Sequence, residues 1–123
     1  MGSVPVVMAK RILIVDDDKD WREVLRLSVE ELGYEGVEAE DGAHALALME
    51  RENFPVILLD LNMPGVSGRE VLQNLPNPAP HVVLLTSADA KQVGDTLSTE
   101  HCYYLPKDGA DGSLSLILDS LHV

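Results

Sequence analysis

Three short apolar runs dominate this sequence, and each stops on a polar side chain. Ile12–Val15 runs into Asp16, Asp17 and Asp18, Val56–Leu59 into Asp60, and Val82–Leu85 into Thr86. A run that short, unbroken and rich in branched residues fits a strand buried on both faces. The spacing of what lies between supplies the covering layers. Trp21, Val24, Leu25, Ser28 and Leu32 recur at helical intervals, and Gly33 is placed to stop them. Tyr34–Ala39 reads as a short strand. Asp41 is set to cap a helix through Ala43, Leu46, Ala47 and Met49. A short helix is expected from about Ser67 to Leu75, ended by Pro76, Pro78 and Pro80. Ala90, Val93 and Leu97 suggest a weak helix with Gly94 inside it. Cys102–Leu105 reads as a last strand, and Leu114, Ile117, Leu118 and Leu121 mark a closing helix. Five strands alternating with five helices define an α/β fold: one doubly wound parallel sheet with helices on both faces.

A chain of 123 residues has the length of one domain, and with 46% hydrophobic residues it can build one core. The nine residues 1–9 lie outside this pattern. They lack the basic segment of a secretory signal, and Val6 breaks a myristoylation pattern. They are read as an N-terminal tail, with Met8 an internal start candidate, and 10–123 as the domain. Nine Lys and Arg against 21 Asp and Glu leave a net charge of −12. Such a surface repels phosphate backbones and anionic lipids, so direct nucleic-acid or membrane binding is disfavoured. The single cysteine, Cys102, excludes an intrachain disulfide and a cysteine-built zinc site. No apolar run approaches the ~18 residues of a membrane span.

The residues that close the strands carry the chemistry. Asp16 and Asp17 follow the first strand, Asp60 the third, Thr86 the fourth, and Lys107 the fifth. In open parallel sheets the ligand crevice lies beyond the carboxyl ends of the strands. Any one of these residues has a simpler use as a turn former or cap, but all five arrive at one edge. Three crowded carboxylates repel one another, and a hard divalent cation removes the conflict. Mg²⁺ takes oxygen ligands and keeps several waters. Zinc is disfavoured, because only His101 among the four histidines comes near this edge. A carboxylate beside Mg²⁺, with a lysine and a hydroxyl, is suited to covalent phosphoryl transfer. Asp60 would attack phosphorus, and Asp17 and Asp60 would hold the cation. Lys107 and Thr86 would meet phosphoryl oxygens, and the small Ser87 and Ala88 would leave room for a donor.

Taken together, ILIVDDD at 12–18, VILLDLNMPGVSG at 56–68, VVLLTS at 82–87 and YLPK at 104–107 resemble the receiver domain of two-component response regulators. The likeness covers about residues 10–121, with each motif in order at its strand end. It implies a flavodoxin-like sheet in the order 2-1-3-4-5. It implies Asp60 as phosphoacceptor, Asp16 and Asp17 as the acidic pair, and Asn62 as donor of a backbone carbonyl to Mg²⁺. Thr86 would be the switch hydroxyl, Lys107 the phosphate-binding lysine and Tyr104 the switch aromatic. The phosphodonor would be a histidine of a sensor kinase or of a phosphotransfer protein, and the location cytoplasmic. The segment Ala88–Tyr104 and the closing helix would form the face offered to a second copy or an effector. Such a domain is a signalling module, an enzyme only toward its own phosphorylation and dephosphorylation.

The sequence departs from the family pattern in three places. Asp108 follows Lys107 where the family usually has proline, which implies a trans bond, since cis before a non-proline residue costs ~2.5–4 kcal/mol. Prolines shorten the third helix, and His101–Cys102 replaces the usual Gly-Ala. Two other readings compete. Mg²⁺-dependent aspartyl phosphohydrolases commonly place a second Asp two positions after the nucleophile, but here stands Asn62, which cannot shuttle a proton. A phosphorylation-independent scaffold of the same shape would have lost acids or the lysine, and this chain keeps them. Trp21 is read as packing, His44, His81 and His122 as surface, and the acids between Glu30 and Glu52 as a solvated face.

Overall fold

The computed structural model describes residues 10–60, 68–77, 79–86, 102–106 and 110–121, apart from the side chains of Thr86, Cys102, Tyr104–Pro106 and 110–113. Five strands are formed: β1 (Arg11–Val15), β2 (Glu35–Ala39), β3 (Val56–Asp60), β4 (His81–Thr86) and β5 (Cys102–Pro106). They make one parallel sheet in the order β2-β1-β3-β4-β5. Among the described residues four helices accompany it: α1 (Lys19–Glu31), α2 (Gly42–Arg51), α3 (Gly68–Gln73) and α4 (Ala110–Leu121). The helix expected around Ala90–Leu97 and the tail 1–9 lie outside the described residues.

The apolar runs are unbroken because both faces of β1, β3 and β4 are covered. Leu13, Val15, Ile57, Leu59, Val82 and Leu84 pack on one side with Ala45 and Met49 of α2, Val71 of α3, and Phe54. Ile12, Ile14, Val56, Leu58, Val83 and Leu85 pack on the other with Leu25 and Val29 of α1 and Leu114, Leu118 and Leu121 of α4. Alternate residues of one strand thus feed two cores. Truncating one such side chain, Leu58 for example, to Ala costs about 2–5 kcal/mol by lost transfer energy and the cavity left behind. The edge strand β2 is only partly buried and carries Glu35 and Glu38, which discourages pairing with another sheet. No helix among the described residues is long and apolar enough to cross a membrane.

The helix ends follow from local hydrogen bonding. Asp41 caps α2 by accepting from the His44 N–H at 2.8 Å. Gly33, at φ 95°, closes α1. Its N–H bonds to the Glu30 carbonyl at 3.1 Å, and the Tyr34 N–H bonds to the Val29 carbonyl at 3.0 Å, the two bonds of a Schellman cap. Because Tyr34 spends its N–H there, β2 begins one residue later than the apolar pattern suggests. The helix α3 is shorter than the expected span to Leu75. Leu75 precedes Pro76, whose ring disfavours helical backbone in the residue before it. The Asn74 side chain donates instead to the Glu70 carbonyl at 2.8 Å and finishes the last turn.

Gly33→Ala tests the cap. A Cβ there meets nothing within 4 Å, so the cost is the left-handed backbone alone. The loss is expected at about 1–2 kcal/mol in urea unfolding, and Gly33→Asn should lose less.

Candidate functional site: an acidic pocket at the carboxyl edge

Strand register builds the pocket. Val15 of β1 is level with Leu59 of β3, so the next residues, Asp16 and Asp60, stand side by side. Both are buried, at 0% and 3% exposure, while Asp17 faces solvent. One carboxylate oxygen from each of Asp16, Asp17 and Asp60 lies within 4.8 Å of the others. The expected acid triad is therefore assembled by two chain segments that the sheet sets in parallel.

Asp16 is fixed through its main chain as well as its carboxylate. Its N–H bonds to the Ala39 carbonyl at 3.2 Å, extending the β1–β2 ladder by one residue. Its own carbonyl accepts from Arg22 Nη1 at 2.7 Å. Its Oδ1 accepts from the Asp18 N–H at 2.9 Å. Asp18 in turn is the N-cap of α1, its Oδ1 accepting from the N–H of Asp20 at 2.9 Å and of Trp21 at 3.4 Å. The third Asp of the run is thus a cap rather than a pocket residue. Its place three residues before Trp21 is the signal that marks it.

The other expected residues follow the same register. Asp60 is level with Leu85, which puts Thr86 one residue further along the neighbouring strand. Pro106 is level with Thr86, and Tyr104 with Leu84, so β5 ends at the same edge of the sheet. Asn62, Ser87, Ala88, His101, Lys107 and the bond to Asp108 lie outside the described residues, as do His122 and the side chains of Thr86 and Tyr104.

Arg22 and Glu38 did not stand out in the sequence, yet they adjoin the pocket. Arg22 Nε lies 3.2 Å from Glu38 Oε1, and Arg26 Nε lies 3.1 Å from Glu38 Oε2. Of the acids between Glu30 and Glu52, Glu30, Glu31, Glu35, Glu40 and Glu50 are exposed as expected, while Asp41 and Glu52 are half-buried. Glu38 is half-buried between two arginines, Glu30 pairs with Arg26, and Glu35 and Glu52 with Arg11. His81 is half-buried at the start of β4 rather than on the surface, while His44 is exposed and Trp21 half-buried.

A doubly wound parallel sheet thus gathers three carboxylates beyond β1 and β3. The sequence model of the response regulator receiver domain matches residues 12–119, and the chain belongs to that family. The transcriptional regulatory protein YrkP of Bacillus subtilis (strain 168) is 36% identical over 89 residues, which is 72% of this chain and 38% of YrkP. Chemotaxis protein CheY-3 of Vibrio cholerae serotype O1 is 35% identical over 86 residues, 67% of this chain and 66% of its own. The chain spans much less than half of YrkP. The crystal structure of the response regulator protein TrrA from Thermotoga maritima in complex with Mg²⁺-BeF superposes with a TM-score of 0.80 at 33% identity, covering 91% of this chain and 98% of TrrA. TrrA in complex with the histidine kinase ThkA matches with a TM-score of 0.80 at 31% identity, covering 93% and 99%.

The donor set fits the Mg²⁺ that receiver domains bind at their acidic pocket. It consists of hard oxygens, close together, without nitrogen or sulfur. Without divalent cations, Asp60→Asn is expected to raise the thermal midpoint, because it removes one of three mutually repelling charges. The expected gain is about 0.5–2 kcal/mol, the size common among single stabilising substitutions. A lower midpoint would mean that the bonding of the Asp60 carboxylate outweighs the repulsion.

Proposed function

We propose that this chain accepts a phosphoryl group on Asp60 from a phosphohistidine of a sensor histidine kinase or a histidine phosphotransfer protein. The observation that carries this reading is the pocket itself: buried Asp60 beside buried Asp16, with Asp17 at the solvent side and one oxygen of each within 4.8 Å of the others. The TrrA complexes with Mg²⁺-BeF and with a histidine kinase support it.

In the reaction an Asp60 carboxylate oxygen attacks phosphorus as the phosphorus–nitrogen bond to the donor imidazole breaks. The imidazole leaves with the bonding electron pair. Asp16, Asp17, Asp60 and the backbone carbonyl of Asn62 would hold Mg²⁺, which offsets the charge gathering on the phosphoryl oxygens. Lys107 would neutralise one oxygen, and the Thr86 hydroxyl would donate to another. Burial of Asp60 at the end of a strand keeps its carboxylate from drifting, so the acceptor oxygen meets the donor in one orientation.

The domain acts as a switch in this reading. Thr86 moves toward the phosphoryl group, and Tyr104 takes the space it leaves. The segment Ala88–Tyr104 and the face of α4 then change shape for a second copy or an effector. Residues 10–123 form the receiver unit, 1–9 a tail without a role in it, and the cytoplasm is the compartment where such a kinase would meet it.

Incubation with acetyl phosphate and Mg²⁺, read by intact mass, should add one phosphoryl group to the wild type and none to Asp60→Asn at comparable rate. Phosphorylation of Asp60→Asn at the wild-type rate would defeat the assignment. Mg²⁺ should also stabilise the fold by mass action, by about 2.7 kcal/mol at one hundred times its dissociation constant, and so raise the thermal midpoint. Asp17→Ala should lose most of that rise.

A further inference from the structure

Resting on the phosphoacceptor reading above, we propose that Arg22 is a positioning residue for the acidic pocket, and that Glu38 aims it. Asp16 lies one residue beyond β1, where β2 supplies a partner for its N–H. Arg22 Nη1 donates to its carbonyl at 2.7 Å. A hydrogen bond from a guanidinium is charge-assisted and shorter and stronger than a neutral one. It fixes the peptide that carries the Asp16 carboxylate against the repulsion of Asp17 and Asp60.

The aim comes from the other side of the guanidinium. Arg22 Nε donates to Glu38 Oε1 at 3.2 Å, and the Arg22 side chain is only 13% exposed. Because the guanidinium is planar and its donors diverge at fixed angles, anchoring Nε directs Nη1. A lysine, with one rotatable ammonium, has no such geometry. Glu38 is itself held on its second oxygen by Arg26 Nε at 3.1 Å, and Arg26 Nη1 reaches Glu30 Oε1 at 2.9 Å. Arg22 and Arg26 are four residues apart and share one face of α1.

Gly36 makes this arrangement possible. A Cβ on Gly36 would stand 2.8 Å from Arg26 Cγ and 3.2 Å from both Ile14 Cδ1 and Val29 Cγ2. Only a bare backbone at that position of β2 lets the Arg26 stem lie across the strand to Glu38. Four residues from α1 and β2 thus form a bracket that ends on the Asp16 carbonyl.

Charge and position predict opposite signs for the loss of Arg22, which makes the proposal decidable. A cation beside three carboxylates competes with Mg²⁺, so removing it for charge alone would tighten Mg²⁺ binding. Removing a positioning residue would weaken it. Calorimetric Mg²⁺ titration of Arg22→Ala is expected to show roughly tenfold weaker binding, the usual size for an outer partner of a metal site. Glu38→Gln should weaken binding in the same direction and by less, since it keeps one acceptor oxygen and replaces the other with an amide donor that cannot accept from an arginine. The double variant should be no weaker than Arg22→Ala alone, because Glu38 acts through Arg22. A thermal melt without Mg²⁺ is taken for each variant. Unchanged or tighter Mg²⁺ binding by a folded Arg22→Ala overturns the proposal and leaves the bracket a structural clamp. If Arg22→Ala does not fold, unchanged binding by Glu38→Gln overturns it equally. Wild-type protein that takes up no Mg²⁺ would instead defeat the phosphoacceptor reading itself.

Discussion

The register between β1 and β3 is the constraint from which the rest follows. Val15 opposite Leu59 puts Asp16 beside Asp60 and, in the same stroke, sends Ile12, Ile14 and Leu58 to one core and Leu13, Val15, Ile57 and Leu59 to the other. A slip of one residue would turn every side chain of a strand to the opposite face. Two full cores therefore stand guard over the position of two carboxylates. The burial that stabilises the sheet also carries the unfavourable closeness of like charges at its end.

Much of this was legible in the sequence because burial on both sides leaves an unmistakable mark. The unbroken runs of β1, β3 and β4 show where the sheet is, and their polar last residues show where the pocket is. The gathering of Asp16, Asp17 and Asp60 agrees with that reading, and the strand order agrees with the receiver likeness. Less legible were the details that depend on what a backbone group finds to bond with. Tyr34 looks like strand until its N–H is seen in the cap of α1, and Leu75 looks like helix until Pro76 is weighed against it. His81 and Glu38 look like surface residues because polarity alone says nothing about a neighbouring strand or arginine. Among the described residues, Arg22 and Glu38 were the adjoining pair that apolar periodicity could not find, since their link spans 16 positions and is made of charge.

Exposed ion pairs contribute little to stability, about 0–1 kcal/mol each, and the Arg22–Glu38 and Arg26–Glu38 pairs are only partly buried. The pairs between α1 and β2 are better viewed as geometry than as glue. They sit at the edge of the sheet where β2 is only partly covered, and they hold a helix whose own buried stripe is narrow, Leu25 and Val29. Apolar packing sets how far α1 stands from the sheet. The arginines set how it is turned.

The cap at Gly33 has a mechanical consequence. It joins α1 to β2 through Leu32, Gly33 and Tyr34 alone, with the Val29 and Glu30 carbonyls of the helix end bonded within the cap. At its other end α1 is pinned by Asp18 and by the Arg22 bond to the Asp16 carbonyl. Bonds at both ends oppose a roll of the helix about its axis. Val24 and Leu27, 43% and 50% exposed on its outer side, therefore stand on an element tied at one end to the peptide that carries Asp16.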